Sequence, residues 1–244
     1  MTTAIAPTAH EASPRPWLWA ALVPALLGLG GGMAVIAAVP PSLGTLLGGL
    51  AASTAMMPGL VAAQHRWLDR LLAVVCFTVP LAAAWLQLVN RDLLQAGEWI
   101  LASFVLLAYG GGIGGLTCLL RMLAAQATKG RECGTMAAAV TVVAGVLWLS
   151  WPIWMAPWLS GPAGEKTVAR LVAMHPAFAL NGRLIRAFPV PWAQYRLAYE
   201  LTNIGDDIPY ELPRAVWPCV LLHVAVGLCA AERPRTSRSG RRRF

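Results

Sequence analysis

The stretch WILASFVLLAYGGGIGGLTCLL, from Trp99 to Leu120, contains no charged side chain. About 20 mostly apolar residues are enough for a helix to cross the hydrocarbon core of a bilayer, which is roughly 30 Å thick. Its glycines are not set in a strand–helix unit, so the run is not a dinucleotide-binding turn. This stretch predicts a transmembrane helix and decides the fold class.

Working outward, five further apolar runs have comparable or slightly shorter length. The six predicted spans are Trp17–Val39, Leu43–Val61, Leu71–Val89, Trp99–Leu120, Met136–Leu159 and Ala215–Ala230. The alternative for the first run is a cleaved signal peptide, whose apolar part is usually about 7–15 residues long. The greater length of this run favours a retained span. We therefore predict an all-α, polytopic membrane protein with six transmembrane helices.

The composition agrees with a membrane protein. Hydrophobic residues make up 57% of the chain and charged residues only 12%, about half the share in soluble domains. The net charge is +8, but six arginines crowd into the last twelve positions and most other basic residues flank apolar runs. That distribution is typical of membrane orientation, so we expect no nucleic-acid partner.

The basic residues also predict the orientation. With the N-terminus inside, twelve lysines and arginines fall in cytoplasmic segments, whereas the two short external loops hold one, Arg91. Positive charge concentrates on the cytoplasmic side of membrane proteins. We expect the cell (inner) membrane as the location, with cytoplasmic tails at 1–16 and 232–244, a five-helix region at 17–159 and the last span at 214–231.

The segment 160–213 is predicted to be external, between spans 5 and 6. Prolines interrupt it, which predicts two or three short helices: Glu165–Met174, Ala177–Phe188 and Trp192–Leu201. Its tryptophan and tyrosines favour a layer on the outer membrane surface, because such rings prefer the headgroup region.

Glycine and tryptophan mark the expected helix contacts and the membrane interface. Two pairs at small-xxx-small spacing predict close helix packing: Gly44 with Gly48, and Gly111 with Gly115. A broken helix that exposes backbone groups to a substrate is the alternative for these glycines. The expected interfacial aromatic residues are Trp151, Trp154, Trp158 and Trp192. Trp148 is deeper, where it suits a helix contact or a ligand groove.

Four titratable residues are the candidate functional groups: His223, His175, Asp206 and Asp207. His223 lies near the middle of a predicted span, where an ionisable side chain is either functional or hydrogen-bonded across a helix interface. The other three belong to the external segment and have no diagnostic metal spacing. The five cysteines form no CxxC pair. We expect no metal, cofactor or disulfide framework.

Six spans with both ends inside, and an external helical layer before the last span, resemble the permease half of ABC-2-type exporters in topology. The resemblance implies a non-catalytic transport or assembly subunit that works with a protein partner or a second copy. The alternative is an enzyme that acts on a lipid or lipid-linked substrate at the outer surface, with His175, Asp206 and Asp207 as acid, base or metal ligands. A third possibility is membrane anchoring, with the basic tail resting on anionic lipid.

Overall fold

A computed structural model describes residues 16–38, 43–64, 66–90, 94–128, 133–159, 162–187 and 211–231, and every regular element in these ranges is helical. The all-α prediction is confirmed for this part of the chain. The elements are α1 (Pro16–Ala38), α2 (Leu43–Ala62), α3 (Trp67–Ala84), α4 (Leu86–Asn90), α5 (Ala96–Ala127), α6 (Gly134–Leu149), α7 (Trp151–Met155), a 3₁₀ turn (Ala156–Trp158), α8 (Pro162–Met174), α9 (Pro176–Ala187) and α10 (Trp217–Ala231).

Three helical runs are long and apolar enough to cross a membrane: α2, the α3–α4 pair and α5. Shorter apolar helices lie within α1, α6 and α10. These also turn large apolar side chains outward, as α10 does with Leu221, Val224 and Leu228 along one face. The chain is therefore a membrane protein, and the number of six spans stays a prediction.

The central helix is α5, which packs against α2, α3, α6, α9 and α10. It lies closest to α10, where Gly112 faces His223 and Gly115 faces Gly227. A Cβ atom added at Gly115 would lie 2.6 Å from the Cα atom of Gly227. Glycine is therefore required there for the two backbones to approach.

Successive long helices alternate in direction. Helices α1, α3 and α6 run toward one end of the bundle, and α2, α5 and α10 run toward the other. We call the end where α2, α5 and α10 begin the hairpin end, and the end where they finish the arginine end. The contacts that fix these directions are Gly28 with Phe77 and Gly32 with Leu81 (α1, α3), Gly110 with Thr78 and Gly114 with Val74 (α5, α3), Gly110 with Met57 and Gly114 with Val61 (α5, α2), and Gly134 with Ala62 and Gly145 with Thr54 (α6, α2).

The fifth predicted span, Met136–Leu159, is interrupted near its middle. Helix α6 ends at Leu149 and α7 begins at Trp151. Pro152 has no N–H to donate to the carbonyl of Trp148, four residues earlier. Three side chains bind carbonyls at this helix end: Ser150 Oγ donates to Val146 O at 2.7 Å, Trp154 Nε1 to Leu147 O at 3.0 Å, and His175 Nε2 to Trp148 O at 3.1 Å.

Helices α8 and α9 form a hairpin whose corner is His175. Pro176 disfavours helical geometry at the residue before it, so α8 ends at Met174 and α9 starts at Pro176 itself. Two of the short helices expected in 160–213 are thus present. The third, Trp192–Leu201, lies outside the described residues.

The corner of the hairpin points into the bundle. Helix α8 starts near Leu159, where Gly164 packs against the backbone, and ends beside Trp148. Helix α9 then runs back until Arg183 reaches Glu98, in the first turn of α5. At 1.5 Å per residue, His175 is up to about 12 Å deeper in the bundle than Arg183. In this orientation His175 replaces the backbone donor that Pro152 lacks.

At the arginine end, two guanidinium groups bind carbonyl oxygens where α2 finishes. Arg121 donates to Ala62 O and to Gln64 O, both at 3.0 Å. Arg70 donates to Gln64 O at 3.2 Å. The last carbonyls of a helix have no partner within it, so these arginines act as caps.

Candidate functional site

Six rings from five helices and the hairpin corner form one cluster, which we call the ring cluster: Tyr109, Trp148, Trp151, His175, Phe178 and His223. Around His175, the ring centroids of Phe178, Trp148 and Trp151 lie at 5.2, 5.4 and 6.3 Å. His223 lies on another side of Trp148, at 6.4 Å, and meets the edge of Tyr109 at 5.2 Å. Trp148 therefore connects the two histidines.

His175 is held as a neutral imidazole with a defined tautomer. A carbonyl oxygen only accepts, so the bond to Trp148 O places the proton of His175 on Nε2. Its Nδ1 atom is then an acceptor, and this buried atom has no hydrogen-bond partner among the described residues. Burial lowers the pKa of His175 to about 3, against the opposing effect of the hydrogen bond to Trp148. The side chain is therefore uncharged at physiological pH.

His223 is anchored within its own helix. Its Nδ1 donates to the carbonyl of Cys219, one turn earlier, at 2.7 Å. The thiol of Cys219 lies 3.6 Å from the same nitrogen, and both residues are buried. His223 thus hydrogen-bonds along α10, while its ring makes the contacts with Tyr109 and Trp148.

Beneath the histidines, a short hydrogen-bond chain joins α5 to α2. Thr54 donates to the carbonyl of Leu50, so Tyr109 donates its hydroxyl proton to Thr54 Oγ1 at 2.6 Å. Polar groups buried in a membrane bundle need such partners, because lipid offers none. The chain fixes the Tyr109 ring against His223.

Two indole N–H groups of the cluster lack partners among the described residues. They are Trp148 Nε1 and Trp151 Nε1, both buried. Together with Nδ1 of His175, they give the cluster two free donors and one free acceptor. Such groups are rare in native proteins and call for a physical reason.

A charged pair holds the other end of α9. Arg183 Nε lies 3.1 Å from Glu98 Oε2, with the side chain of Glu98 8% exposed and that of Arg183 44% exposed. Glu98 occupies the first turn of α5, where the helix dipole also favours a carboxylate. The hairpin is therefore bound to α6 through His175 and to α5 through Arg183.

The structure brings the two candidate histidines into one cluster, together with Trp151. Trp154 and Trp158 turn outward near the hairpin end, and Trp158 is 83% exposed. Asp206, Asp207 and Trp192 lie outside the described residues. No group of three or more histidine, cysteine, aspartate or glutamate side chains able to hold a metal occurs in the described ranges.

The glycines chosen from the sequence occupy different environments. Gly115 packs against Gly227, as described above. A Cβ atom added at Gly111 would meet open space, although the Gly111 carbonyl faces Gly227. In α2, Gly48 is half-buried, whereas its neighbour Gly49 is fully buried against the Trp85 ring. Gly44 lies in the first turn of the same helix.

Sequence reasoning missed Tyr109, Thr54, Phe178 and the Glu98–Arg183 pair. These residues are far apart in sequence, and each is of a type that is common in helices, so no local pattern marks them. One signal was available for the pair, because an acidic residue beside an apolar span is costly unless it is matched by a cation.

The chemistry of the cluster is that of a neutral, hydrogen-bonding and aromatic centre with no charged group among its rings.

No protein-family model matches this sequence, and no similar curated protein or solved structure was found for it.

Proposed function

We propose that α1, α2, the α3–α4 pair, α5, α6 and α10 all cross the cell membrane, with the hairpin end outside and both termini in the cytoplasm. Three observations support this. The helices alternate in direction, the shorter ones carry exposed apolar stripes, and Arg66, Arg70 and Arg121 collect at the arginine end. That end is then the cytoplasmic one by the positive-inside rule.

Within this arrangement the protein acts as a non-catalytic, permease-like subunit of a membrane complex, in transport or assembly. The observation that carries this proposal is the burial of His175, which is 1% exposed. A catalytic acid or base must come within hydrogen-bond reach of its substrate. His175 instead donates to Trp148 O and is surrounded by three aromatic rings, so it serves to seat the hairpin.

The topological resemblance to ABC-2-type exporter permeases agrees with this proposal, because both place a helical segment before the last span. The partner is then a second copy of this chain or an energy-supplying protein on the cytoplasmic side. The enzyme alternative has His175, Asp206 and Asp207 as its candidate groups.

Co-purification tests the partner. The tagged protein is expressed at native level, extracted in mild detergent and crosslinked, and the mass of the complex is measured by native mass spectrometry. We expect a stoichiometric complex, either a dimer or a chain bound to an ATPase. A monodisperse monomer with no crosslinked neighbour would contradict the proposal.

Three conservative variants separate the subunit from the enzyme: His175→Gln, Asp206→Asn and Asp207→Asn. Glutamine keeps an N–H donor for the Trp148 carbonyl but cannot act as an acid or base. We expect all three to complement a deletion strain as well as the wild type does. Loss of complementation by a variant that is still inserted and folded would favour the enzyme.

A further inference from the structure

We propose that the α8–α9 hairpin is a gate at the outer end of the bundle, held shut by two polar contacts and able to swing away from the ring cluster. The inference rests on the proposed permease-like function, since a static anchor has no use for a gate. The structure shows the closed position.

The two contacts lie on different helices and at different depths. The deep one is the hydrogen bond from His175 Nε2 to Trp148 O, across the gap that Pro152 leaves in α6. The shallow one is the ion pair between Arg183 and Glu98 of α5. One contact fixes the corner of the hairpin, and the other fixes the middle of α9.

Apolar packing also holds the hairpin, and the two polar contacts add to it. Ala179, Leu180 and Leu184 of α9 are buried against the bundle. Lipid tails are as apolar as leucine, so in a membrane such contacts gain little from exclusion of water.

Closure also leaves polar groups without partners. In the described part of the chain, Nδ1 of His175 and the indole N–H groups of Trp148 and Trp151 are buried and unpaired. Withdrawal of the hairpin lets water or a solute bind all three. Opening therefore gives these three groups hydrogen-bond partners, which offset part of what is lost at the two contacts.

Cys219 reports on the movement. It is fully buried on α10, in the same apolar cluster as Ala179 and Leu180 of the hairpin. The test protein keeps this cysteine and carries Ser or Ala at Cys76, Cys118, Cys133 and Cys229. Its labelling rate with a polar maleimide is measured in detergent micelles, where both ends of the bundle face water.

The decisive variant is Arg183→Gln, and the matched control is Arg170→Gln, which removes an exposed arginine from α8 of the same hairpin. We expect Arg183→Gln to raise the labelling rate at least fivefold and Arg170→Gln to change it less than twofold. The charge exchange Glu98→Arg with Arg183→Glu should bring the rate back toward that of the parent. If Arg183→Gln does not fold, Glu98→Gln and His175→Leu test the same two contacts.

Equal rates in Arg183→Gln and Arg170→Gln, with the thiol of unfolded protein fully reactive, would overturn the gate. So would a charge exchange that leaves the rate as high as in Arg183→Gln. Neither outcome depends on a partner, so failure of the gate is distinct from failure of the co-purification test.

Discussion

At both ends of the bundle, carbonyl groups at the end of a helix lack a backbone donor, and the two ends supply different side-chain donors. At the arginine end, the carbonyls where α2 finishes are bound by Arg70 and Arg121, which carry a permanent charge. At the hairpin end, the carbonyls where α6 finishes are bound by neutral groups, among them His175 and Trp154. The donors at the first end are charged, and those at the second end are uncharged.

The difference agrees with the proposed orientation. Guanidinium groups near the cytoplasmic face cap helices and retain the chain on that side. In that orientation the outer end has no such requirement, and an uncharged imidazole suits the contact that the proposed gate breaks and re-forms. Variants at each end should differ in the free energy of unfolding, measured in mixed detergent micelles.

The largest effect is expected at the arginine end. Arg121→Ala removes both hydrogen bonds from a charged donor, each worth about 1.5–3 kcal/mol, and should lower the free energy of unfolding by about 3 kcal/mol. Arg66→Ala is the control, because Arg66 is exposed at the same end. Equal losses in the two variants would show that total charge matters there rather than the caps.

At the hairpin end, His175→Leu should cost about 2 kcal/mol, because it leaves the carbonyl of Trp148 buried without its donor. His175→Gln keeps an N–H donor and should cost less than half as much. If leucine is tolerated as well as glutamine, the hydrogen bond to Trp148 contributes nothing and the two ends differ less than the structure indicates.

Acid should weaken the hairpin end through His175. In the native state the pKa of His175 is about 3, whereas the pKa of a histidine in the unfolded chain is about 6.5. Between these values the unfolded chain binds more protons, so stability falls as the pH falls, by up to about 1.4 kcal/mol per unit. The comparison is wild type against His175→Gln from pH 7.5 to 5.0, with His223 present in both.

The glutamine variant should show the shallower slope, and Arg121→Ala should keep the slope of the wild type. Parallel slopes in wild type and His175→Gln would mean that another group controls the acid response.

The helices could be predicted from the sequence, because they depend on local composition. Contacts between residues far apart in the chain could not. Apolar length located the helices, since any stretch such as Trp99–Leu120 must avoid water wherever it packs. A kink at Pro152 was foreseeable from the missing N–H. The donor that binds the carbonyl of Trp148 was not foreseeable. His175 follows Pro152 by 23 residues and is one of several polar residues in a segment predicted to be external.

For the same reason, only part of the candidate site could be predicted from the sequence. His223 stood out as an ionisable group in a span, but its neighbours Tyr109 and Trp148 come from other helices. Only helix packing places them together, and that depends on glycines such as Gly112 and Gly115. Their pairing with α10 is not encoded in local spacing.

The smallest loss of stability is expected at Trp154, because water can replace its hydrogen bond. Trp154→Phe removes the indole donor to the carbonyl of Leu147, but Trp154 is exposed. Water or a headgroup can take over the bond, so the expected loss is about 0.5 kcal/mol or less. Trp158→Phe, at the most exposed tryptophan nearby, is the control and should cost nothing measurable. A loss in Trp154→Phe as large as in His175→Leu would mean that the end of α6 is closed to water along its whole edge, and the gate would then have no solvent on its outer side to hydrate the groups it uncovers.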